Sequence, residues 1–325
     1  MDILGEVRNV VADELEAFRR EYTLAMQGGR GWLQDCLDFL TKKQGKQIRP
    51  LLTLLAAKAC SGKEETSQVV QCAVLLEVLH TATLVHDDVV DDTRRRRGNP
   101  TLNAAFDNRL AVLTGDYLFS SSAARAAELN DTRITRVLAG LGKDLAEGEV
   151  AELELAEQGI IDEAAYMQVI QKKTASLLSA CAELGALSGG GSEDEKLTLR
   201  DFGKHLGFCF QIRDDIFDYY DAEIGKPTGH DLLEGKITLP LLFALSHDAS
   251  HQADDARRII FAKDFTAGNV QSLIAFAKRA GGIAYAEQVM DEHFRTANSL
   301  LSTLPPSPAG DALKKLATYL VVRNH

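Results

Sequence analysis

The sequence lacks most of the features that interrupt helices or build strands. It has 7 prolines in 325 residues, no Asn-Gly dipeptide and no apolar–polar alternation longer than four positions, which argues against a sheet-based fold. Frequent Ala, Leu, Glu and Lys favour helix. The one linker-like segment, Ser-Gly-Gly-Gly-Ser at 188–192, is short enough to be a turn between packed helices. We therefore expect a single all-α domain over residues 1–325.

Cysteine is sparse, and its distribution excludes further classes. The five cysteines, at positions 36, 60, 72, 181 and 209, are odd in number and lie in apolar runs, with no pair at metal-ligand spacing. This is typical of reduced thiols in a cytoplasmic protein. The amino terminus lacks the basic and apolar regions of a secretory signal. No uncharged apolar run reaches 18 residues, so no transmembrane segment is expected.

Basic residues are outnumbered by acidic ones. Against 47 Asp and Glu there are 36 Lys and Arg, a net charge of −11 at pH 7, which argues against a general nucleic-acid surface. A Gly-x-x-x-x-Gly-Lys-Ser/Thr loop is absent, so a nucleotide site of the P-loop kind is not indicated.

Helical periodicity runs along most of the chain. Apolar residues recur at intervals of three and four from Ile3 to Phe18, which predicts a first helix of about five turns. Two segments, 69–90 and 202–217, are apolar on nearly every face. Helices of this kind are buried in the centre of a molecule.

Each of these two central segments ends in the same acidic pattern. Asp-Asp-x-x-Asp stands at 87–91 and again at 214–218, and the first and last aspartates of each motif share one helix face. Like charges at this spacing repel each other, so a cation is expected beside them. Oxygen ligands without His or Cys in the pair favour Mg²⁺, which completes its shell with water and substrate phosphate oxygens.

Basic residues flank these motifs. Lys46 and Arg49 stand three apart at the start of a predicted helix, where cationic side chains and free N–H groups hold an anion together. Four arginines follow the first motif at 94–97. Such a run alone is more typical of a solvated face or a targeting signal. Next to the aspartates it favours a diphosphate clamp, because the guanidinium fork fits phosphate oxygens.

Seven short motifs then follow one another between residue 45 and about 245. They are Gly-Lys-x-x-Arg-Pro at 45–50, Leu-His-Thr-Ala-Thr-Leu-Val-His-Asp-Asp-Val-Val-Asp at 79–91, Arg-Arg-Gly-Asn-Pro-Thr at 96–101, Gly-Asp at 115–116, Lys-Thr at 173–174, Gly-x-x-x-Gln-x-x-Asp-Asp-x-x-Asp at 207–218 and Gly-Lys-Pro-Thr-Gly-x-Asp-x-x-x-Gly-Lys at 225–236. In content and order they resemble the trans-type polyprenyl diphosphate synthases, in particular the long-chain, octaprenyl-like enzymes. The resemblance implies an isoprenoid-synthase bundle of about a dozen helices around a deep central cavity, normally a homodimer.

The resemblance also implies an activity and its ligands. Such an enzyme condenses an allylic diphosphate, farnesyl or geranyl, repeatedly with isopentenyl diphosphate to an all-trans polyprenyl diphosphate for quinone side chains. It uses three Mg²⁺ ions per active site and contacts a membrane transiently for product release. The metal ligands would be Asp87, Asp91 and Asp214, supported by Asp88, Asp215 and Asp218.

The remaining site residues are likewise implied by the resemblance. Isopentenyl diphosphate would bind Lys46, Arg49, His80 and Arg97. The allylic diphosphate would bind Arg96, Lys173, Thr174, Gln211, Lys226 and Lys236, of which Lys173 and Gln211 also count as catalytic. His86, beside the first motif, is interpreted as structural.

Three alternatives stay open at this stage. A shorter-chain farnesyl or geranylgeranyl diphosphate synthase shares the same motifs. A cyclising terpene synthase usually mixes Asn, Ser and Glu in its second metal motif, and a non-catalytic subunit of a heteromeric synthase characteristically loses one motif. This chain keeps Asp-Asp-x-x-Asp twice, which disfavours the last two.

Side chains above the first motif predict a long product of about C40, within a range of C30 to C50. An aromatic residue four or five positions before the first aspartate marks C15 and C20 synthases of this family, whereas Thr83 and Ala82 stand there in this chain. The two-residue insertion of bacterial-type short-chain enzymes is also absent. Val78 and Leu79 come next on the same side, and Tyr117 and Phe119 are candidates for a deeper floor.

Overall fold

The computed structural model describes residues 2–42, 45–60, 66–96, 98–220 and 228–322. Within them the chain forms seventeen α-helices, one π-helical turn (Gln171–Ala175) and one two-stranded hairpin, so the predicted all-α class is confirmed. The helices are α1 (Ile3–Asn9), α2 (Ala12–Ala25), α3 (Trp32–Thr41), α4 (Ile48–Ala59), α5 (Thr66–Val90), α6 (Leu102–Ala105), α7 (Asn108–Glu128), α8 (Thr132–Gln158), α9 (Glu163–Ile170), α10 (Ser176–Ser188), α11 (Glu193–Asp218), α12 (His230–Leu233), α13 (Leu239–His247), α14 (His251–Phe261), α15 (Ala267–Arg279), α16 (Gly282–Leu301) and α17 (Pro308–Val322). The hairpin strands are β1 (Arg95–Arg96) and β2 (Asn99–Pro100).

The chain forms two compact units, each built from three stretches of sequence. The first comprises Met1–Gly142, Leu178–Gly203 and Leu300–Tyr319, and the second comprises Lys143–Leu177, Lys204–Ser299 and Leu320–His325. The organisation as one domain stays a prediction.

Helix α5 is the centre of the first unit, and α2, α4 and α7 pack against it. Its residues Leu75, Leu76, Val78 and Leu79 are all buried, as its apolar character on every face predicts. Length and composition alone would let Ser67–Val90 cross a membrane. In the structure 61% of its most apolar stretch is buried inside the protein, as in a core helix.

The amino-terminal segment differs from its prediction. The prediction of one continuous helix from Ile3 to Phe18 is wrong, because the chain breaks between α1 and α2, where Val11 has φ −129° and ψ 35°. The carbonyl oxygen of Val10, freed by the break, accepts a 3.1 Å hydrogen bond from Nζ of Lys58. That lysine also pairs with Glu14 at 2.6 Å. A contact with α4, distant in sequence, thus satisfies the backbone at the break.

The glycine-rich segment at 188–192 is a turn within the first unit, as predicted. Ser192 and Glu195 form a capping box, in which Oγ of Ser192 accepts from the Glu195 amide and Oε2 of Glu195 accepts from the Ser192 amide at 2.8 Å. This arrangement starts α11. Gly189 brings α10 against α4, because a Cβ there would lie 2.7 Å from Cα of Ala57.

The second unit has its own apolar core. Ile212 and Ile216 of α11 pack with Leu241 of α13 and with Val270 and Leu273 of α15. The cysteines of both units are free, as predicted. Burial raises the pKa values of the thiols at positions 60, 72, 181 and 209 to about 12, which disfavours the thiolate form of each.

Candidate active site

The first acidic motif stands at the carboxyl end of α5. The helix ends at Val90, the amide of Asp91 still donates to the carbonyl of Asp87 at 2.8 Å, and Asp92 turns the chain away with φ 45°. Because the carboxyl end of a helix carries partial negative charge, aspartates are least favourable there. A bound cation would offset both this effect and the repulsion between the aspartates.

The aspartates of this motif have two different environments. Asp87 and Asp91 are half-buried, whereas Asp88 is 6% exposed. Oδ1 of Asp88 accepts hydrogen bonds from Nε of Arg96 at 2.9 Å and from Nη2 at 2.8 Å. Burial raises the pKa of Asp88, and the adjacent Arg96 charge opposes that rise. Asp88 therefore holds an arginine, whereas Asp87 and Asp91 remain partly exposed to solvent.

Arg95 and Arg96 form one strand of a small hairpin, which sequence reasoning missed. Arg96 in β1 lies opposite Asn99 in β2, and Gly98 at the turn has φ 75°, a conformation that glycine adopts freely. The Gly-Asn-Pro sequence at 98–100 was the available signal. Arg97, predicted to bind isopentenyl diphosphate, lies outside the described residues.

His86 is held by helix α7. Its Nε2 lies 3.1 Å from the carbonyl oxygen of Val112 and 3.5 Å from Oδ1 of Asp116. A Cβ on Gly115 would lie 2.2 Å from the same nitrogen, so only glycine leaves room for the ring. The Gly-Asp motif at 115–116 thereby anchors the end of α5, in agreement with a structural role for His86.

Lys46 and Arg49 lie at the beginning of α4. Between them Gln47 has φ 58° and ψ 38°, in the left-handed region, which residues with a Cβ rarely adopt. Nζ of Lys46 lies 6.0 Å from the ring centroid of Tyr319 in α17.

Glu77 is a half-buried acid that sequence reasoning missed. Burial raises its pKa, and the charge of Arg49 partly counteracts the rise. Its Oε2 has no hydrogen-bond partner among the described residues. A single glutamate in the apolar stretch of α5 was the signal that could have found it. His80, predicted to bind isopentenyl diphosphate, follows one turn later and is half-buried, and its carbonyl accepts from Oγ1 of Thr83 at 2.9 Å.

The residues predicted to set chain length lie in the buried part of α5. Val78, Leu79 and Ala82 are buried, and Thr83 is half-buried. Phe119, one candidate for a deeper floor, is 42% exposed and lies against Gly142. Its exposure in the single chain argues against Phe119 as the floor of an interior channel.

The second acidic motif shows the same division. Asp214 is exposed and Asp215 is 2% exposed. The hydroxyl of Tyr166 donates to Oδ2 of Asp215 at 2.5 Å, and Nε2 of Gln211 donates to Oδ1 at 2.8 Å. Oε1 of Gln211 accepts from Oγ1 of Thr174 at 2.7 Å. Burial, with the nearby charge of Asp231, raises the pKa of Asp215 well above its ordinary value. Two of the predicted diphosphate ligands, Gln211 and Thr174, thus belong to one chain of hydrogen bonds.

Asp218, the last residue of α11, bonds to the beginning of α12. Its two carboxylate oxygens accept from the amides of His230 and Asp231, each at 3.0 Å, and it thereby caps α12. In the part of the chain that the structure describes, one group of three side chains gathers ligand atoms within 4.8 Å: His230, Asp231 and Glu234. Glu234 already pairs with Lys236 at 2.8 Å. Lys226 lies outside the described residues.

Lys173 and Lys236 meet the same glutamate. Nζ of Lys173 lies 2.8 Å from Oε2 of Glu149 and 2.6 Å from Oε2 of Glu152, and Nζ of Lys236 lies 3.3 Å from Glu152. Burial would raise the pKa of Glu152, but the two lysines outweigh it and lower that pKa. Sequence reasoning missed both glutamates, which stand three apart on α8 as their only local signal.

Lys173 itself lies in the π-helical turn Gln171–Ala175. Such wide turns occur frequently at functional sites. Gly148 of α8 lies against it, and a Cβ there would come within 2.8 Å of the Lys173 amide nitrogen. The turn and the glycine together bring the lysine to the glutamates of α8.

The chain is similar to known sequences over nearly its whole length. The sequence model described as polyprenyl synthetase matches residues 30–276. The chain is 37% identical over 324 residues to "Heptaprenyl diphosphate synthase component 2" of Geobacillus stearothermophilus, covering 99% of each chain. It is 38% identical over 292 residues to "Octaprenyl diphosphate synthase" of Escherichia coli K12, covering 88% of each.

Solved structures agree in fold. A decaprenyl diphosphate synthase from Rhodobacter capsulatus superposes with a TM-score of 0.92 at 35% identity, over 98% of each chain. A polyprenyl synthase from Caulobacter crescentus CB15, complexed with calcium and isoprenyl diphosphate, gives 0.90 at 30% identity over 98% of each. A geranylgeranyl pyrophosphate synthase from Bacteroides thetaiotaomicron gives 0.84 at 38% identity, over 99% of this chain and 100% of the other.

These matches define a class, the prenyltransferases of isoprenoid biosynthesis. The chain belongs to the polyprenyl synthetase family. Its relatives carry the names of hepta-, octa-, deca- and geranylgeranyl enzymes, so family membership does not specify the length of the product.

Proposed function

We propose that the protein is a magnesium-dependent trans-polyprenyl diphosphate synthase. It joins an allylic diphosphate, farnesyl or geranyl, to isopentenyl diphosphate and repeats the step to a product of about C40, within C30 to C50, for quinone side chains. One observation carries the proposal: each acidic motif is divided into accessible aspartates, Asp87 and Asp91 in the first and Asp214 in the second, and a buried central one. Motifs that were only solvated helix ends would have no reason to repeat this division.

The accessible aspartates fit magnesium. Their donors are all oxygen, and Mg²⁺ takes one or two carboxylates while substrate phosphates complete its shell. When bound, the ions neutralise the diphosphate and improve it as a leaving group. The buried aspartates hold the surroundings instead: Asp88 orients Arg96, and Asp215 orients Gln211. Asp218 supports the site through α12.

Basic side chains complete the allylic subsite. Arg96 donates to diphosphate oxygens, with Lys173, Thr174, Gln211, Lys226 and Lys236 around the same group. Since Glu149 and Glu152 hold the two described lysines at 2.6–3.3 Å, these lysines keep their charge and their position before substrate arrives. Positive charges placed in advance stabilise the negative charge that develops on the departing diphosphate.

Lys46, Arg49, His80 and Arg97 hold isopentenyl diphosphate. Their task is to keep its double bond at attack distance from the allylic carbon, because orientation supplies much of the rate. Apolar walls exclude water, which would otherwise capture the allylic cation. The departing diphosphate is the base that takes the final proton.

The small side chains of α5 support a long product. Each prenyl unit adds about 5 Å of extended chain, close to the pitch of one helical turn. Ala82 and Thr83 leave the first turn above the motif without an aromatic floor. One of the similar structures is a geranylgeranyl pyrophosphate synthase, so a shorter product is the second candidate.

We also propose a homodimer that acts in the cytoplasm and contacts a membrane transiently when it releases product. Exposed apolar residues on α7, Val112, Leu113 and Phe119, support a partner on that face. A relative named as a component of a heptaprenyl synthase makes a heteromeric enzyme the alternative.

Turnover by the purified single chain tests the proposal. The chain is incubated with Mg²⁺, farnesyl diphosphate and isopentenyl diphosphate, and products are separated by chromatography. A linear prenyl diphosphate near C40 supports the proposal, cyclic hydrocarbons indicate a terpene cyclase, and no turnover without a second protein indicates a subunit. Omitting Mg²⁺ or adding a chelator should abolish the reaction.

A further inference from the structure

The backbone between Lys46 and the start of α4 adopts a conformation that its sequence does not favour. Gln47 has φ 58°, in a region where the Cβ of a non-glycine residue is crowded. Residues in such conformations persist only where surrounding contacts hold them, and they concentrate at functional sites.

Two arginines of the amino-terminal helices supply these contacts. Nε and Nη2 of Arg19, in α2, both donate to Oε1 of Gln47 at 3.1 Å. Nη2 of Arg8, in α1, donates to the carbonyl oxygen of Lys46 at 3.0 Å. The peptide between Lys46 and Gln47 is thus held through its carbonyl group and through the side chain that follows it.

This peptide controls how Lys46 and Arg49 stand relative to each other. Arg49 is part of α4, whose first intrahelical bond runs from the Leu51 amide to the Gln47 carbonyl at 3.1 Å. Lys46 precedes the helix, so its direction depends on the dihedral angles of Gln47. If Gln47 relaxed to a right-handed or extended conformation, the direction of Lys46 relative to Arg49 would change.

We propose that Arg19 is a positioning residue for isopentenyl diphosphate, which holds Gln47 in its left-handed conformation and so aligns Lys46 with Arg49. The inference rests on the proposed function, which assigns Lys46 and Arg49 to that substrate. Arg19 acts through Gln47 and does not itself contact the diphosphate. Arg8 adds to the same alignment from the carbonyl side.

Steady-state kinetics on the full chain, with each substrate varied at saturating concentration of the other, tests this role. Arg19→Ala should raise KM for isopentenyl diphosphate about tenfold, and change kcat and KM for farnesyl diphosphate by less than about twofold. Arg20→Ala is the matched control, since this neighbour is exposed and forms an ion pair with Glu16 at 2.9 Å. It should leave all three constants unchanged.

A glycine at position 47 separates positioning from a direct electrostatic effect. Glycine adopts the left-handed conformation without the crowding of a Cβ, so Arg19→Ala should raise KM less than about threefold in a Gln47→Gly background. An undiminished tenfold effect in that background would mean that Arg19 acts by its charge, and the inference would be overturned. Gln47→Ala, which removes only the acceptor, should reproduce the Arg19→Ala phenotype if the latter variant does not fold.

Lys46→Ala distinguishes this inference from the proposed function. If Lys46→Ala raises KM for isopentenyl diphosphate and Arg19→Ala does not, only the positioning role is wrong. If Lys46→Ala has no effect on that KM, the substrate assignment is wrong and the positioning role is overturned with it.

Discussion

The hydroxyl of Tyr166 and the carboxylate of Asp215 form a 2.5 Å hydrogen bond between residues 49 positions apart in sequence. Both side chains are buried, and Gln211 donates to the other carboxylate oxygen. The second aspartate of the second motif is therefore an anchor for its surroundings, and the exposed Asp214 beside it is the residue proposed to bind a metal ion.

Replacing Tyr166 by Phe removes this bond and leaves a buried carboxyl group with one fewer partner. We expect the unfolding free energy to fall by about 1–3 kcal/mol, and turnover to fall because Asp215, which accepts from Gln211, is held less firmly. Urea denaturation and initial rates measure the two effects. Tyr220→Phe is the control, because that side chain is exposed. Equal stability of both variants would contradict the anchoring role.

Asp87→Asn and Asp214→Asn should each reduce turnover by several orders of magnitude and leave helix content unchanged. Each variant removes a carboxylate from the proposed metal site, and stabilisation of a departing diphosphate by metal ions accounts for several kcal/mol. Initial rates and far-ultraviolet circular dichroism test this. Asp13→Asn, at an exposed position of α2, is the control. Near-normal rates in either motif variant would show that the motifs do not bind the catalytic metal.

Ala82→Phe should shorten the main product from about C40 to C15 or C20. Ala82 is fully buried in α5, one turn before the first motif, so an aromatic ring there would block the growing chain. Chromatography of the products measures the length of the main product. Overpacking also destabilises a core, but the ratio of products comes only from folded enzyme and is independent of how much is folded. An unchanged product length would mean that the chain does not pass Ala82.

Stability should decline in acid because of His293. Its ring stacks on Phe208 with centroids 4.5 Å apart, and its Nδ1 lies 2.8 Å from Nδ1 of His205. Burial, together with His205 and Lys204, lowers the pKa of His293 to about 4, and Glu292 opposes the shift. The unfolded chain takes up this proton near pH 6.5, so stability is complete above that pH and falls as the pH drops toward 4.

Between pH 6.5 and 4 the free energy of unfolding falls by about 1 kcal/mol, once solvent screening of this partly exposed side chain is allowed for. His293→Gln should flatten the dependence of unfolding free energy on pH between 4 and 6.5. His251→Gln, at an exposed position of α14, should keep it. A His293→Gln variant with the same slope as the parent would locate the titrating group elsewhere.

The exposed face of α7 should form the homodimer contact. Light scattering at micromolar concentration is expected to give twice the chain mass of 35.4 kDa. Leu113, 62% exposed, would be buried by a partner, so Leu113→Asp should shift the mass to that of one chain. Leu197→Asp, at an exposed apolar position on α11, should stay dimeric. A parent protein that scatters as a monomer would rule out the dimer.

Local sequence was sufficient for the helical class and for the two acidic motifs. Helical periodicity and the four-residue spacing of aspartates depend only on neighbours along the chain, so they can be read before any fold is known. The same holds for the turn at 188–192, where Ser192 and Glu195 stand at capping-box spacing. The prediction of one continuous first helix was wrong. The chain breaks near Val10, where Lys58 of α4 donates a hydrogen bond to the carbonyl oxygen that the break leaves without a helical partner.

Only the tertiary structure decided which aspartate of each motif is accessible. The sequence does not distinguish Asp87 from Asp88, yet in the structure Arg96 donates a hydrogen bond to Asp88. Tyr166 likewise donates a hydrogen bond to Asp215. The sequence also did not predict that two glutamates pair with Lys173. Nor did it predict that Arg19 bonds to Gln47. Burial and charge pairing depend on partners between 8 and 49 residues away in these cases, and spacing along the chain carries no information about which of them will meet.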